Sequence, residues 1–294
     1  MSSQKKCFLW PNTWTGYFGT NPYDRRRLKL GLEDPVSDKS GITLKDELVA
    51  VARKAGAVIL DVYNRDFQAS HKADRSPVTE ADTAAEAVIV EALARLAPDV
   101  PVVAEEQCAK DGVPLAVPKR FFLVDPLDGT KEFIAKNGEF TVNIALIEDG
   151  HPTLGVVYLP ATDACYAGVG GQAERRLGTG APETIRARSE PVNGLVMAIS
   201  RSHADGEIER AKARGLAIAG TIVAGSSLKF CRIAEGVADL YPRFGTTMEW
   251  DTAAGQAVLE AAGGRVETVD GAPLGYGKAG FLNPHFIAYG RKRA

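Results

Sequence analysis

Acidic residues stand where apolar runs end or helix-like segments begin. Val102-Val103-Ala104 runs into Glu105-Glu106, and Phe121-Phe122-Leu123-Val124 runs into Asp125-Pro126-Leu127-Asp128-Gly129-Thr130. Asp251 precedes an alanine-rich stretch, and Asp82 closes Thr79-Glu80-Ala81-Asp82. Pro126 holds Asp125 extended, and Gly129 permits a backbone turn closed to other residues. Two carboxylates three residues apart across such a turn can point at one spot. Residues 130–136 have helix-forming composition, so a helix start beyond the turn would offer free N–H groups to an anion. Carboxylates beside an anion site make chemical sense when a divalent cation sits between them, and Mg²⁺ takes one or two carboxylates plus water and phosphate oxygens. Each acid also has a local explanation. Asp128 and Asp251 suit helix N-caps, Asp125 a turn, Asp82 the third residue of a capping box, and Glu105-Glu106 a solvated surface.

The elements that must position these acids follow from periodicity. Thr43-Leu44-Lys45-Asp46 reads as a capping box, and Leu44, Leu48, Val51, Ala55, Val58 and Val62 then mark one face of a long helix. A second helix starts at Thr79, with Ala85, Val88, Ile89, Ala92 and Leu96 on its apolar face, and ends at Pro98. Residues 141–147, 154–159 and 164–169 read as strands, with Asp149-Gly150 as a hairpin turn. Residues 170–193 read as loop. Strands over 195–200, 221–224, 239–241 and 286–289 alternate with helices over 226–235 and 251–262, the last stopped by Gly263-Gly264. Residues 1–42, rich in Gly, Asn, Pro and aromatics, show no sustained period and read as a loosely ordered extension. An α+β half over 43–190 and an α/β half over 191–294 are expected, the second completing the site.

Charge and cysteine usage narrow the function classes. Lys and Arg total 35 against 37 Asp and Glu, a net charge of −2, which lacks the basic excess of a nucleic-acid binder. The four cysteines, Cys7, Cys108, Cys165 and Cys231, form no C-x-x-C pair and read as buried thiols in a reducing compartment. No apolar run approaches the ~20 residues of a membrane span, and Lys5-Lys6 is followed by too short an apolar run for a signal peptide. A soluble cytoplasmic protein is expected.

Four of these segments together resemble the inositol monophosphatase superfamily of metal-dependent, lithium-sensitive phosphatases. Val124-Asp125-Pro126-Leu127-Asp128-Gly129-Thr130 is similar to its D-P-[IL]-D-G-T signature, Glu105-Glu106 to its upstream acidic pair, Trp250-Asp251-Thr252-Ala253-Ala254-Gly255 to its W-D-x-A-A-G element, and Thr79-Glu80-Ala81-Asp82 to its T-x-x-D element. Lys131-Glu132-Phe133-Ile134, Ser200-Arg201-Ser202-His203, Gly225-Ser226-Ser227-Leu228-Lys229-Phe230 and Tyr241-Pro242-Arg243-Phe244-Gly245 resemble its CysQ-type 3'(2'),5'-bisphosphate nucleotidase branch.

The resemblance implies a layered αβαβα sandwich and hydrolysis of adenosine 3',5'-bisphosphate to AMP and phosphate. It implies two Mg²⁺ ions held by Glu105, Asp125, the Leu127 carbonyl, Asp128 and Asp251, with Asp82 as a site for a third ion or a support behind the ligands. Thr130 would orient the water, and Gly129 and Thr130 N–H groups would hold the phosphate. His203, Lys229 and Arg243 would meet the rest of the nucleotide, with Asp251 and Leu127 also lining the substrate. Relatives of this branch imply a peripheral place at the inner membrane, which no basic amphipathic helix here supports. The other readings are an inositol or sugar monophosphatase on the same scaffold and a metal-binding regulatory protein without turnover.

Overall fold

The apolar runs that end on acids become the middle of a large sheet. In this computed structural model residues 39–71, 77–201 and 204–293 are described. The larger sheet has the order β3-β4-β5-β6-β7-β8-β9, with β3 (Val102–Ala104), β4 (Arg120–Asp128), β5 (Thr141–Glu148), β6 (His151–Leu159), β7 (Ala164–Val169), β8 (Gln172–Leu177) and β9 (Glu183–Thr184). Only β3 and β4 run parallel; the other neighbours are antiparallel. Asp149 and Gly150 turn β5 into β6 with φ of 49° and 81°, the paired positive values of a tight hairpin turn.

β4 is apolar without alternation because both of its faces are covered. Phe122 and Val124 point to one side, where they meet Leu48, Ala52, Ala55 and Ile59 of α1 (Lys39–Tyr63) and Ala85 and Ile89 of α2 (Glu80–Leu96). Phe121 and Leu123 point to the other side, into a core shared with Phe230 and Ile233 of α6 (Leu228–Ala234) and Ala254 and Val258 of α7 (Ala253–Ala261). α7 lies flush on this face over two glycines. A methyl group at Gly155 would stand 2.4 Å from the Ala254 carbonyl oxygen, and one at Gly168 2.7 Å from Val258 Cα.

The smaller sheet has the order β11-β10-β12-β14-β13, from β10 (Leu195–Ile199), β11 (Ile218–Val223), β12 (Leu240–Arg243), β13 (Arg265–Thr268) and β14 (Phe286–Tyr289). Its inner face gives Tyr241, Phe286 and Ala288 to the core around α6 and α7. Its outer face gives Met197, Ile199, Leu240 and Ile287 to Ala211 of α5 (Ala204–Ala213). The layers therefore run helix, sheet, helix, sheet, helix, the expected αβαβα sandwich. The remaining elements are a short hairpin of β1 (Ala69–His71) and β2 (Pro77–Thr79), and two short helices, α3 (Glu105–Asp111) and α4 (Thr130–Ile134).

Some local expectations differ from the structure. α1 already begins at Lys39, so Thr43 lies inside the helix rather than at its start. Residues 170–193 contain β8 and the edge strand β9, whose polar sequences carry little strand signal. α5, with the sequence ADGEIERAKA, has too few apolar residues to announce itself. The Thr79 capping box does form. The expected loose extension lies outside the described residues up to residue 38, as do Cys7 and His203. Cys108, Cys165 and Cys231 are free and buried. Among the described residues no helix is long and apolar enough to cross a membrane.

Candidate active site

Parallel pairing of two strand ends builds the first half of the site. Ala104 on β3 stands opposite Val124 on β4, so Glu105, where the chain leaves β3, lies beside Asp125, which stays in β4. The β4–β5 register breaks between Asp125 and Asp128, which lets Pro126-Leu127 bulge and brings Asp128 back opposite Thr141. Gly129 follows with φ 90° and packs so closely that a Cβ would lie 2.0 Å from Ser226 Oγ. Asp251 arrives from the other side of the core, at the end of a 3₁₀ turn over Glu249–Asp251 just ahead of α7. Glu105, Asp125 and Asp251 each offer one oxygen, all within 4.8 Å of one another.

Backbone N–H groups hold these carboxylates in direction. Leu127 N–H donates to Asp125 Oδ1 at 3.0 Å, and Met248 N–H donates to Asp251 Oδ2 at 2.8 Å. Asp128 does not cap α4, whose N-cap is Gly129. Its Oδ2 instead accepts from Ser227 N–H at 2.7 Å, from Ser227 Oγ at 3.0 Å and from Asn143 Nδ2 at 3.4 Å. Asp82 forms its expected capping box and also reaches Thr130. Its Oδ2 accepts from Thr79 N–H at 2.8 Å, closing the capping box, while its Oδ1 accepts from Thr130 Oγ1 at 3.2 Å. Thr130 Oγ1 also lies 3.3 Å from the Leu127 carbonyl.

The charges in this group oppose one another. Burial, followed by the negative charges of Glu105, Asp128 and Asp251, pushes the Asp125 carboxyl well above the usual carboxylate range. Burial, then Asp128 and Glu105, does the same to Asp251. Asp128 is raised by burial, with the Lys229 ammonium and the Ser227 hydrogen bonds pulling the other way. A divalent cation relieves this repulsion, and an all-oxygen donor set suits a hard ion. The residues therefore fit a divalent cation.

The cationic residues approach from the second half. Lys229 is 4% exposed; its ammonium donates to the Ser226 carbonyl at 2.8 Å and lies 5.0 Å from the Tyr241 ring centre. It thereby holds Ser226, whose φ of 48° is unusual outside glycine. Arg243 donates to the Thr246 carbonyl at 3.2 Å, with Glu207 3.8 Å away.

Sequence reasoning missed the residues that hold the site. Glu86 accepts from the N–H groups of Glu106 and Gln107 at the start of α3, at 2.7 and 2.8 Å. Glu249, fully buried, accepts from the N–H groups of Gly277 and Lys278 at 2.7 and 2.9 Å and anchors the turn that presents Asp251. Asn143 and Ser227, 2.8 Å apart, brace Asp128. Glu86 left a trace as an acid on the apolar face of α2, in line with Asp82, Ala85 and Ile89, and Ser227 stood in a family element without a role of its own.

Residues 43–292 match the inositol monophosphatase family. The chain is 48% identical over 245 residues to the 3'(2'),5'-bisphosphate nucleotidase CysQ of Escherichia coli (strain K12), covering 82% of this chain and 97% of that protein. Among solved structures, CysQ from Bacteroides thetaiotaomicron superposes with a TM-score of 0.69 at 37% identity, covering 84% of this chain and 98% of that one. An inositol monophosphatase from Anabaena (Nostoc) sp. PCC 7120 gives a TM-score of 0.66 at 26% identity, over 84% of this chain and 90% of that one. The match spans both sheets and every described acid of the site, and this chain belongs to the inositol monophosphatase family.

Proposed function

We propose that this chain is a Mg²⁺-dependent phosphomonoesterase that hydrolyses adenosine 3',5'-bisphosphate to AMP and phosphate. Enzymes of the family are metal-dependent, and the observation that carries the reading here is the Glu105–Asp125–Asp251 group within 4.8 Å, set beside relatives described as bisphosphate nucleotidases. Glu105, Asp125, Asp128, Asp251 and the Leu127 carbonyl would hold two ions, and Asp82 would support them or hold a third. When bound, such cations neutralise phosphoryl charge and make water a nucleophile at neutral pH.

The chain's own groups do the rest. The Thr130 hydroxyl, aimed by Asp82, accepts a hydrogen bond from the attacking water and sets its direction. The N–H groups of Gly129 and Thr130, at the start of α4, hold the phosphate undergoing hydrolysis. Arg243 meets the nucleotide's second phosphate. Lys229 adds its charge near Asp128, with the Ser226 carbonyl taking one of its three N–H groups at 2.8 Å and the Ala224 carbonyl 3.4 Å away. His203, which lies outside the described residues, contacts the nucleotide.

Phosphate release measured with Mg²⁺, on adenosine 3',5'-bisphosphate and on inositol 1-phosphate, tests the reading. Turnover of the bisphosphate with a large preference over the inositol ester is expected, abolished by EDTA. Preference for the inositol ester would assign the chain to the monophosphatase activity, and no turnover of either would leave a metal-binding protein without catalysis.

A further inference from the structure

Helix α2 carries two buried acids one turn apart, Asp82 at 1% and Glu86 at 9% exposure. Carboxylates on a buried helix face are costly unless hydrogen-bonded. Asp82 finds its partners in Thr79 and Thr130. Glu86 finds its partners on another element: its Oε2 accepts from Glu106 N–H at 2.7 Å and its Oε1 from Gln107 N–H at 2.8 Å.

Those N–H groups are first-turn amides of α3, which have no carbonyl within their own helix to bond. The residue in the N-cap position is Ala104, which has no side chain able to accept them. The cap is therefore supplied by a different helix. The residue whose direction it sets is Glu105, the first residue of α3 and one of the three acids that converge. Fixing the N–H groups of Glu106 and Gln107 fixes the first turn of α3, and with it the backbone from which Glu105 projects.

We infer that Glu86 is a positioning residue for Glu105, clamping the first turn of α3 so that Glu105 meets Asp125 and Asp251 at a divalent cation. The inference rests on the cation reading proposed above. It assigns to α2 a single task on one face: Asp82 holds Thr130 at the start of α4, and Glu86 holds the first turn of α3 that carries Glu105. Partners of this kind, behind the ligands of a metal, commonly change affinity by about 10- to 100-fold when removed.

The test is Mn²⁺ binding to the metal-free full chain, followed by electron paramagnetic resonance, for wild type, Glu86→Gln, Glu86→Asp and Asp125→Asn. Glu86→Gln keeps the length but loses one acceptor; Glu86→Asp keeps the charge but falls short of the two amides. Both are expected to bind Mn²⁺ about 10-fold more weakly than wild type. Wild-type affinity in Glu86→Gln overturns the inference. Wild-type affinity in Glu86→Asp with loss in Glu86→Gln also overturns it, because charge at a distance would then be the cause. Undiminished Mn²⁺ binding by Asp125→Asn would instead remove the cation reading, a failure separate from that of Glu86. Hydrogen exchange on metal-free wild type provides a check independent of any variant's folding: the Glu106 and Gln107 amides are expected to be protected, and rapid exchange there overturns the clamp.

Discussion

At the scale of single residues, Asp128 shows how a local explanation and a functional one separate. The cap reading would make Asp128→Asn a stability change. The structure places the cap at Gly129 and turns the Asp128 carboxylate to Ser227. Asparagine keeps an oxygen able to accept from Ser227 N–H but has no charge for a cation. Asp128→Asn is therefore expected to melt within a few degrees of wild type and to lose activity by roughly 100-fold or more, the scale on which a group stabilising transition-state charge is missed. Normal turnover at saturating Mg²⁺ would remove Asp128 from the ligand set. Arg243 tests specificity instead. A charge-assisted hydrogen bond to a second phosphate contributes ~1.5–3 kcal/mol. Arg243→Ala should then lower kcat/KM for adenosine 3',5'-bisphosphate by roughly 10- to 150-fold, with little change on p-nitrophenyl phosphate, which has no second phosphate. Equal losses on both substrates would mean that Arg243 supports the fold through Glu207 and Thr246 rather than the nucleotide.

At the scale of elements, α7 links the core to the chemistry. It presses against the large sheet at Gly155 and Gly168, and the turn just before it ends on Asp251. A methyl group at Gly168 would meet Val258 Cα at 2.7 Å and the Ala257 carbonyl at 2.8 Å, backbone atoms that cannot rotate away. Gly168→Ala is expected to destabilise the protein by ~1–3 kcal/mol through this overpacking, read as a lower urea midpoint with unchanged slope. The shift of α7 should also weaken Mg²⁺ activation by moving Asp251. Unchanged stability would show that the helix slides away from the sheet at little cost. The same logic explains why β4 has no alternating pattern: it is sandwiched between α1 and α2 on one side and α6 and α7 on the other.

At the scale of the whole molecule, the acid cluster sets how stability follows pH and metal. The carboxyls of Asp125 and Asp251 are raised in the folded protein above their unfolded values. Between those values the unfolded chain holds fewer protons than the folded one, so stability from this cluster is greatest below the unfolded carboxylate range and falls as pH rises through the folded one. A bound divalent cation reverses the cost, because it needs the ionised form. Metal-free protein is therefore expected to gain more in melting temperature from Mg²⁺ at pH 8 than at pH 5. Asp251→Asn, which removes one of the repelling charges, should melt higher than wild type without metal and gain little from it. A metal-induced shift that is the same at both pH values, or a lower metal-free melting temperature for Asp251→Asn, would show that repulsion in this cluster is not what the cation relieves.

The sequence by itself determined which residues are candidates for the chemistry, because their signals are local. Acids at the ends of apolar runs, Pro126 and Gly129 around Asp125 and Asp128, and the order of four family elements are all written in contiguous stretches. The turn at Asp149-Gly150 and the Thr79 capping box were legible for the same reason: a few neighbouring residues decide them. What only the tertiary structure decided is what depends on residues far apart in the chain. Parallel pairing of Ala104 with Val124 sets Glu105 beside Asp125, and the packing of α7 over Gly155 and Gly168 carries Asp251 to them. Glu86, Glu249, Asn143 and Ser227 form hydrogen bonds across 20, 28, 84 and 99 residues, distances over which no sequence period survives. A hydrogen bond between residues so far apart needs the layers to be assembled first, so the candidate acids were visible in the sequence and the groups that hold them were not.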